Sequence, residues 1–138
     1  MSAVEANKRA NEMLEKNMAI NTETLLSRNL IEVFGEPDAM KRKGVIAELW
    51  NEDGVFVDPF GRVVGRDAIN ESVSHLHQKF PGFVFTPIGS PEAFHDIGRL
   101  SWGHGPAGQE PKVKGVDIVS VRDGRIVSLY TFIDAMPK

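Results

Sequence analysis

The sequence predicts an α+β domain in which N-terminal helices pack on one face of a curved, mostly antiparallel sheet. Two observations carry this expectation. Through about residue 80 the apolar residues recur three and four apart, the spacing of one helix face, and from Phe83 onward the period becomes two. The turns between the later runs are rich in Gly and Pro, and Arg122-Asp123-Gly124-Arg125 carries the Asp-Gly signal of a tight hairpin.

Residues 3–34 read as helix, with a break near Asn21-Thr22, where polar N-cap residues interrupt the pattern. Beyond the break Leu25, Leu26, Leu30, Val33 and Phe34 form one apolar stripe, and Asn29 sits inside it. Gly35-Glu36-Pro37-Asp38 stops this helix, and Asp38 is placed to cap the next, which carries Val45, Ile46, Leu49 and Trp50 on one side. Asn51 to Gly54 reads as a turn, Val55 to Asp58 as a short strand, and Pro59-Phe60-Gly61 as a reversal into Arg62 to Val64. Gly65 opens a further amphipathic helix bearing Ile69, Val73, Leu76 and Phe80, which Pro81-Gly82 ends. Strands are then expected at about 83–88, 93–102, 112–121 and 126–133, with a loop over Gly103 to Pro111.

Composition narrows the function. At 138 residues and 41% hydrophobic content the chain suits one domain with one core, and it has neither a repeat nor a linker. A net charge of −3 argues against a nucleic-acid surface, which needs clustered Lys and Arg. No apolar run approaches the roughly 20 residues that span a bilayer, and the polar N-terminus lacks a signal-peptide core, so no membrane partner and a cytoplasmic location are expected. The absence of Cys removes disulfides, thiolate catalysis and Cys metal sites.

Several apparent motifs fail on context. Gly103-His104-Gly105-Pro106-Ala107-Gly108 spells G-x-G-x-x-G, yet no helix begins there to face a pyrophosphate. His75 and His77 are two apart on a helix and point different ways, so they are expected in solvent and no metal site is expected. His95 and Asp96 are adjacent in a strand, so one of them could face the interior. What remains is a pair of aspartates set in apolar strands. Asp58 ends Val-Phe-Val, and Asp117 alternates with Gly115, Val119 and Val121 on one strand face. A buried carboxylate must be hydrogen-bonded, paired with a cation, or protonated. Asp58 before Pro59 equally suits a turn, and Asp117 equally suits a partnership with water, Arg99 or Arg125.

With helices first and sheet after, VFVDPFGRVVGRDAI and GVDIVSVRDGRIVSLYTFID make the chain resemble the SnoaL-like and ketosteroid-isomerase-like branch of the NTF2-like superfamily. The resemblance runs from about Leu25 to Asp134 and implies a single domain over 25–138, with 1–24 as a helical extension. It implies a cone-shaped α+β barrel enclosing one deep apolar pocket, dimerisation through the outer sheet face, a small apolar ligand, and no cofactor. It also implies a general base at Asp58 and a protonated acid at Asp117 that donates to the substrate oxygen. This acid is a case known from ketosteroid isomerases themselves. The family's helix-1 tyrosine is missing, since Tyr130 is the chain's only tyrosine, and Asn29 lies near its place. Thr131 occupies the position at which cyclases of the SnoaL type hold an aspartate. Thr131 and His95 are further polar candidates, and Phe56, Phe60, Phe85, Trp102, Leu129 and Ile133 are candidate pocket residues. Two functions stay open: an isomerase or cyclase working through an enolate, and a non-catalytic binding module on the same fold.

Overall fold

The computed structural model describes residues 2–134, excluding the side chains of 11–18. Helix α1 (Ala3–Met18) exposes every described side chain from Ala3 to Ala10. The expected break follows it. Asn21 caps α2 (Thr22–Arg28) by accepting from the Thr24 N–H at 2.8 Å. The helix then runs on as a π-helical turn over Asn29–Phe34. Asp38 likewise caps α3 (Ala39–Leu49), accepting from the N–H groups of Met40 and Lys41. After β1 (Trp50–Asp58) and β2 (Gly61–Val64) comes α4 (Arg66–Lys79), and then β3 (Phe83–Phe94), β4 (Ile97–Pro106), β5 (Val113–Arg122) and β6 (Arg125–Ile133).

The strands form one six-stranded sheet in the order β2-β1-β6-β5-β4-β3. Its pairs are antiparallel except β1 with β6, which run parallel. The sheet is curved and open rather than closed into the expected barrel: β2 and β3 are its two edges, and no ladder joins them. The core lies between its inner face and the helices, where Leu25, Leu26, Leu30, Val33, Ile46, Leu49, Trp50, Ile69 and Val73 meet Leu100, Val119, Ile126 and Leu129. Burying each large aliphatic side chain contributes roughly 1.5–3 kcal/mol, which is what holds so short a helical layer on the sheet.

Four boundaries differ from expectation, each for a local reason. Asn51 to Gly54 belongs to β1, whose pairing with β6 is interrupted between Trp50 and Val55, so this irregular stretch reads as a turn. Strand β3 runs through Gly89 and Pro91 to Phe94 because the break between Ile88 and Glu92 shifts the register without ending the pairing. The reversal therefore falls at His95-Asp96, and β4 continues through the glycine-rich stretch to Pro106. Glycine is required at 103 and 105 because Pro111 and its neighbours lie across the strand, and a Cβ there would come within 2.6 and 2.9 Å of them. At Asp123-Gly124 both residues have positive φ, 52° and 73°, as the hairpin signal predicts.

Candidate active site

The inner face of the sheet carries alternate residues of each strand. On β4 these are Leu100, Trp102 and His104, on β5 Gly115, Asp117 and Val119, and on β6 Leu129, Thr131 and Ile133. Asp117 pairs with Leu100 on one side and Thr131 on the other. The parallel register matches Phe56 with Leu129 and Val57 with Tyr130, so one step further sets Asp58 beside Thr131. The two aspartates therefore lie in one row of the inner face, two strand spacings apart, roughly 10 Å between backbones.

Their environments differ. Asp117 is 4% exposed, and its Oδ1 accepts from the Trp102 indole N–H and from the Thr131 hydroxyl, both at 2.9 Å. Neither Arg99 nor Arg125 is its partner; Arg99 pairs with Glu92 instead. Oδ2 has no protein partner among the described residues. Burial pushes the carboxyl up to about 6, against the opposing pull of the Thr131 and Trp102 hydrogen bonds. Both donors converge on Oδ1, so the geometry suits a neutral acid whose proton sits on Oδ2. Trp102 reaches Asp117 because the facing residue is Gly115, where a Cβ would sit 2.4 Å from the indole ring.

Asp58 is half-buried at the end of β1, and its Oδ1 accepts from the N–H groups of Phe60 and Gly61 at 2.9 and 3.0 Å. It thus fixes the turn into β2 while standing at the end of the inner row. Asn29 is buried in the π-helical turn, and its Oδ1 accepts from the Trp50 indole N–H at 2.9 Å.

Of the expected pocket residues, Phe56, Phe85, Trp102 and Leu129 are buried on the inner face and Ile133 is half-buried. The aromatic ones pack through shared edges: Phe34 with Phe56 at 5.2 Å, and Phe85 with Trp102 at 5.3 Å. Phe60 does not belong to this set. It lies in the β1–β2 turn, 72% exposed, because Asp58 turns the chain outward there. His95 is also removed from the site: it sits exposed in the β3–β4 turn at φ 52°, so it supports nothing on the inner face. It borders instead a shallow groove of about 450 Å³ between the start of α2 and the β3–β4 and β5–β6 turns.

One inner-face histidine is hidden in the sequence, and another, on α4, is not in solvent as expected. His104, 7% exposed, stacks on Phe85 at 4.2 Å between the edges of Phe80 and Phe83. Burial, helped by nearby His77, pulls it down to about 4, so it is neutral at physiological pH. His77 is half-buried rather than free in solvent, its Nε2 2.7 Å from the Phe34 carbonyl oxygen. The period-two series Leu100, Trp102, His104 was the available signal for the first, masked by the flanking glycines.

The model of the SnoaL-like domain family matches residues 28–129. A candidate isomerase of the SnoaL-like family from Agrobacterium tumefaciens is 28% identical and superposes with a TM-score of 0.76, over 81% of this chain and 96% of that one. Two more distant structures share the fold. A candidate ketosteroid isomerase from Kribbella flavida is 18% identical, with TM-score 0.64, over 85% of this chain and 80% of its own. A candidate polyketide cyclase from Sinorhizobium meliloti is 17% identical, with TM-score 0.62, over 78% and 92%. NTF2-like proteins, among them one of unknown function from Cytophaga hutchinsonii, have the same architecture, at 17% identity and TM-score 0.61 over 83% of this chain and 91% of that one. No functionally curated protein matches the chain.

Proposed function

The chain belongs to the SnoaL-like domain family, and from that premise we propose that it is an acid–base isomerase or cyclase acting on a small apolar carbonyl compound. The observation that carries this reading is Asp117: a carboxyl 4% exposed, raised to about 6, holding two donors on one oxygen and leaving the other for a ligand. Carboxyls perturbed by burial in this way cluster at functional sites.

In the proposed reaction Asp58 takes a proton from the carbon next to the carbonyl. The C–H electron pair becomes the enolate double bond, and charge moves to the carbonyl oxygen. Asp117, neutral, donates a hydrogen bond from Oδ2 to that oxygen and stabilises the charge as it develops. Asp58 returning its proton to a different carbon completes an isomerisation; attack of the enolate carbon on a second carbonyl of the same molecule forms the ring bond and an alkoxide, and transfer of the Asp58 proton to that alkoxide completes a cyclisation. Thr131 and Trp102 hold Asp117 in place, and Asn29 supplies a second donor. The roughly 10 Å between the aspartate backbones leaves room for one ring between the carboxyls. Opening of the packed Phe56–Phe34–Phe85 rings admits the ligand.

The alternative, a binding module without chemistry, draws support from the turn role of Asp58 and from Tyr130, which is 48% exposed and offers the interior no phenol. Turnover of a β,γ-unsaturated ketone separates the two. Asp58→Asn is expected to abolish turnover with ligand affinity intact, and wild-type kcat/KM to fall as pH rises through about 6. Equal turnover in Asp58→Asn overturns the enzymatic reading.

We also propose that the domain forms a homodimer through the outer sheet face, where Val84, Ile88, Ile97, Tyr130 and Phe132 are each more than 40% exposed. Phe132→Asp is expected to yield monomers in sedimentation, and an unchanged mass would dismiss this surface.

A further inference from the structure

We propose that Trp50 is a positioning residue: its indole N–H fixes the Asn29 side-chain amide so that the NH2, and not the carbonyl oxygen, is presented to the substrate oxyanion. The inference rests on the enolate reading above and adds a residue to it.

An indole N–H can only donate. The atom of Asn29 that it meets at 2.9 Å must therefore be the carbonyl oxygen, and the amide NH2 must point the other way. Trp50 is itself immobile. It is fully buried, its carbonyl oxygen accepts from two nitrogens of Arg66 at 3.1 and 2.7 Å, and Gly54 leaves space for its ring, which a Cβ there would meet at 2.5 Å. Asn29 is 1% exposed, yet its Nδ2 has no bonded partner among the described residues. Nor is any buried side-chain nitrogen or oxygen there left both sealed and unpaired, so Nδ2 faces space that a small polar atom can enter.

The path of the helix sets Asn29 level with the row that holds Asp117. The helix crosses the inner face from Leu26, packed over Gly98, to Phe34, packed on Phe85. Gly98 and Leu100 are successive inner residues of β4, and Leu100 pairs with Asp117. Asn29 is three residues beyond Leu26, about 4.5 Å along the axis, close to one inner-row step of about 6.6 Å. It is also the first residue of the π-helical turn, with its own N–H shared between the Leu25 and Leu26 carbonyls. Such turns are a common device for aiming a side chain at a functional site. Asp117 Oδ2 and Asn29 Nδ2 thus form the two halves of an oxyanion site, the second half oriented by Trp50.

The test compares binding of p-nitrophenol, whose phenolate mimics an enolate, with binding of nitrobenzene, the same ring without the hydroxyl. Wild type is expected to prefer p-nitrophenol by more than about tenfold. Trp50→Phe should lower p-nitrophenol affinity about tenfold and leave nitrobenzene unchanged, and Trp50→Phe combined with Asn29→Ala should be no weaker than Asn29→Ala alone. Asn29→Asp, which keeps the acceptor for Trp50 and places an oxygen where the NH2 was, should lower p-nitrophenol affinity by about 100-fold. This variant is nearly isosteric and decides the matter even where Trp50→Phe does not fold. Undiminished p-nitrophenol binding in Asn29→Asp, or additive losses in the double variant, overturns the assignment of Trp50. A wild type that shows no preference, with Asp117→Asn equally indifferent, instead overturns the enolate reading and this inference with it.

Discussion

Two buried titratable groups on the inner face bias stability in opposite directions, and their cancellation can be measured. Asp117 is raised from 3.8 to about 6 in the folded chain. Its contribution is fully present below pH 3.8, where both states hold the proton, and is lost as pH rises to about 6. His104 is lowered from 6.5 to about 4, so its contribution is present above pH 6.5 and is lost as pH falls to about 4. Each interval exceeds two pH units, and at about 1.4 kcal/mol per unit each group is worth about 3 kcal/mol. From pH 4 to pH 7 the two slopes offset one another. Urea unfolding at pH 4, 5, 6 and 7 should therefore show a wild-type profile set by other groups, such as the exposed carboxyls of Asp38 and Glu48, whose lowered values weaken the fold in acid. Relative to wild type, Asp117→Asn should gain about 3 kcal/mol between pH 4 and pH 7, because only the His104 slope is left. His104→Phe, which preserves a ring to stack on Phe85, should lose about 3 kcal/mol over the same range. Variant profiles that run parallel to wild type would show that neither group is desolvated as its burial implies, and the case for a neutral Asp117 would go with them.

Gly115→Ala should displace the Trp102 indole, which lies 2.4 Å from the new Cβ, and break its bond to Asp117; unfolding should show a loss of about 1–3 kcal/mol. Arg42, fully buried, ties α3 to α4 by donating to the Asn70 side chain and carbonyl, the Ser74 hydroxyl and the Glu36 carbonyl. Arg42→Ala leaves those acceptors unpaired, and a loss of about 3 kcal/mol or more in urea unfolding is expected. Phe60→Ser should change both stability and turnover little, within about 0.5 kcal/mol, because its ring contacts solvent rather than ligand.

The inward direction of Asp117 was legible because strand alternation needs only a period and a burial contrast, both present in Gly-Val-Asp-Ile-Val-Ser-Val. The partners of Asp117 were not. That Trp102 and Thr131 reach it depends on cross-strand register and on the missing side chain at Gly115, neither of which a single strand encodes. The helices came through in order because their caps, Asn21 and Asp38, are local chemistry. The expected barrel failed for the opposite reason: closure is a property of how the edges β2 and β3 meet, and no short stretch specifies it. His104 is masked in the sequence because Gly103 and Gly105, there to admit Pro111, look like a loop.

The one parallel ladder has a consequence for the order in which the molecule assembles. Strands β3 to β6 are consecutive hairpins, so their pairing, and with it the bond from Trp102 to Asp117, closes over short loops. Strand β1 instead finds β6 about seventy residues away, a contact with a far larger entropy of closure. Asp58 therefore joins the row late. Before β1 docks and the helices cover the sheet, the burial that raises Asp117 is missing, and its carboxyl is expected near its ordinary value. The rise toward 6 is then a clock: followed during refolding, the protonation of Asp117 dates the moment at which the site is enclosed.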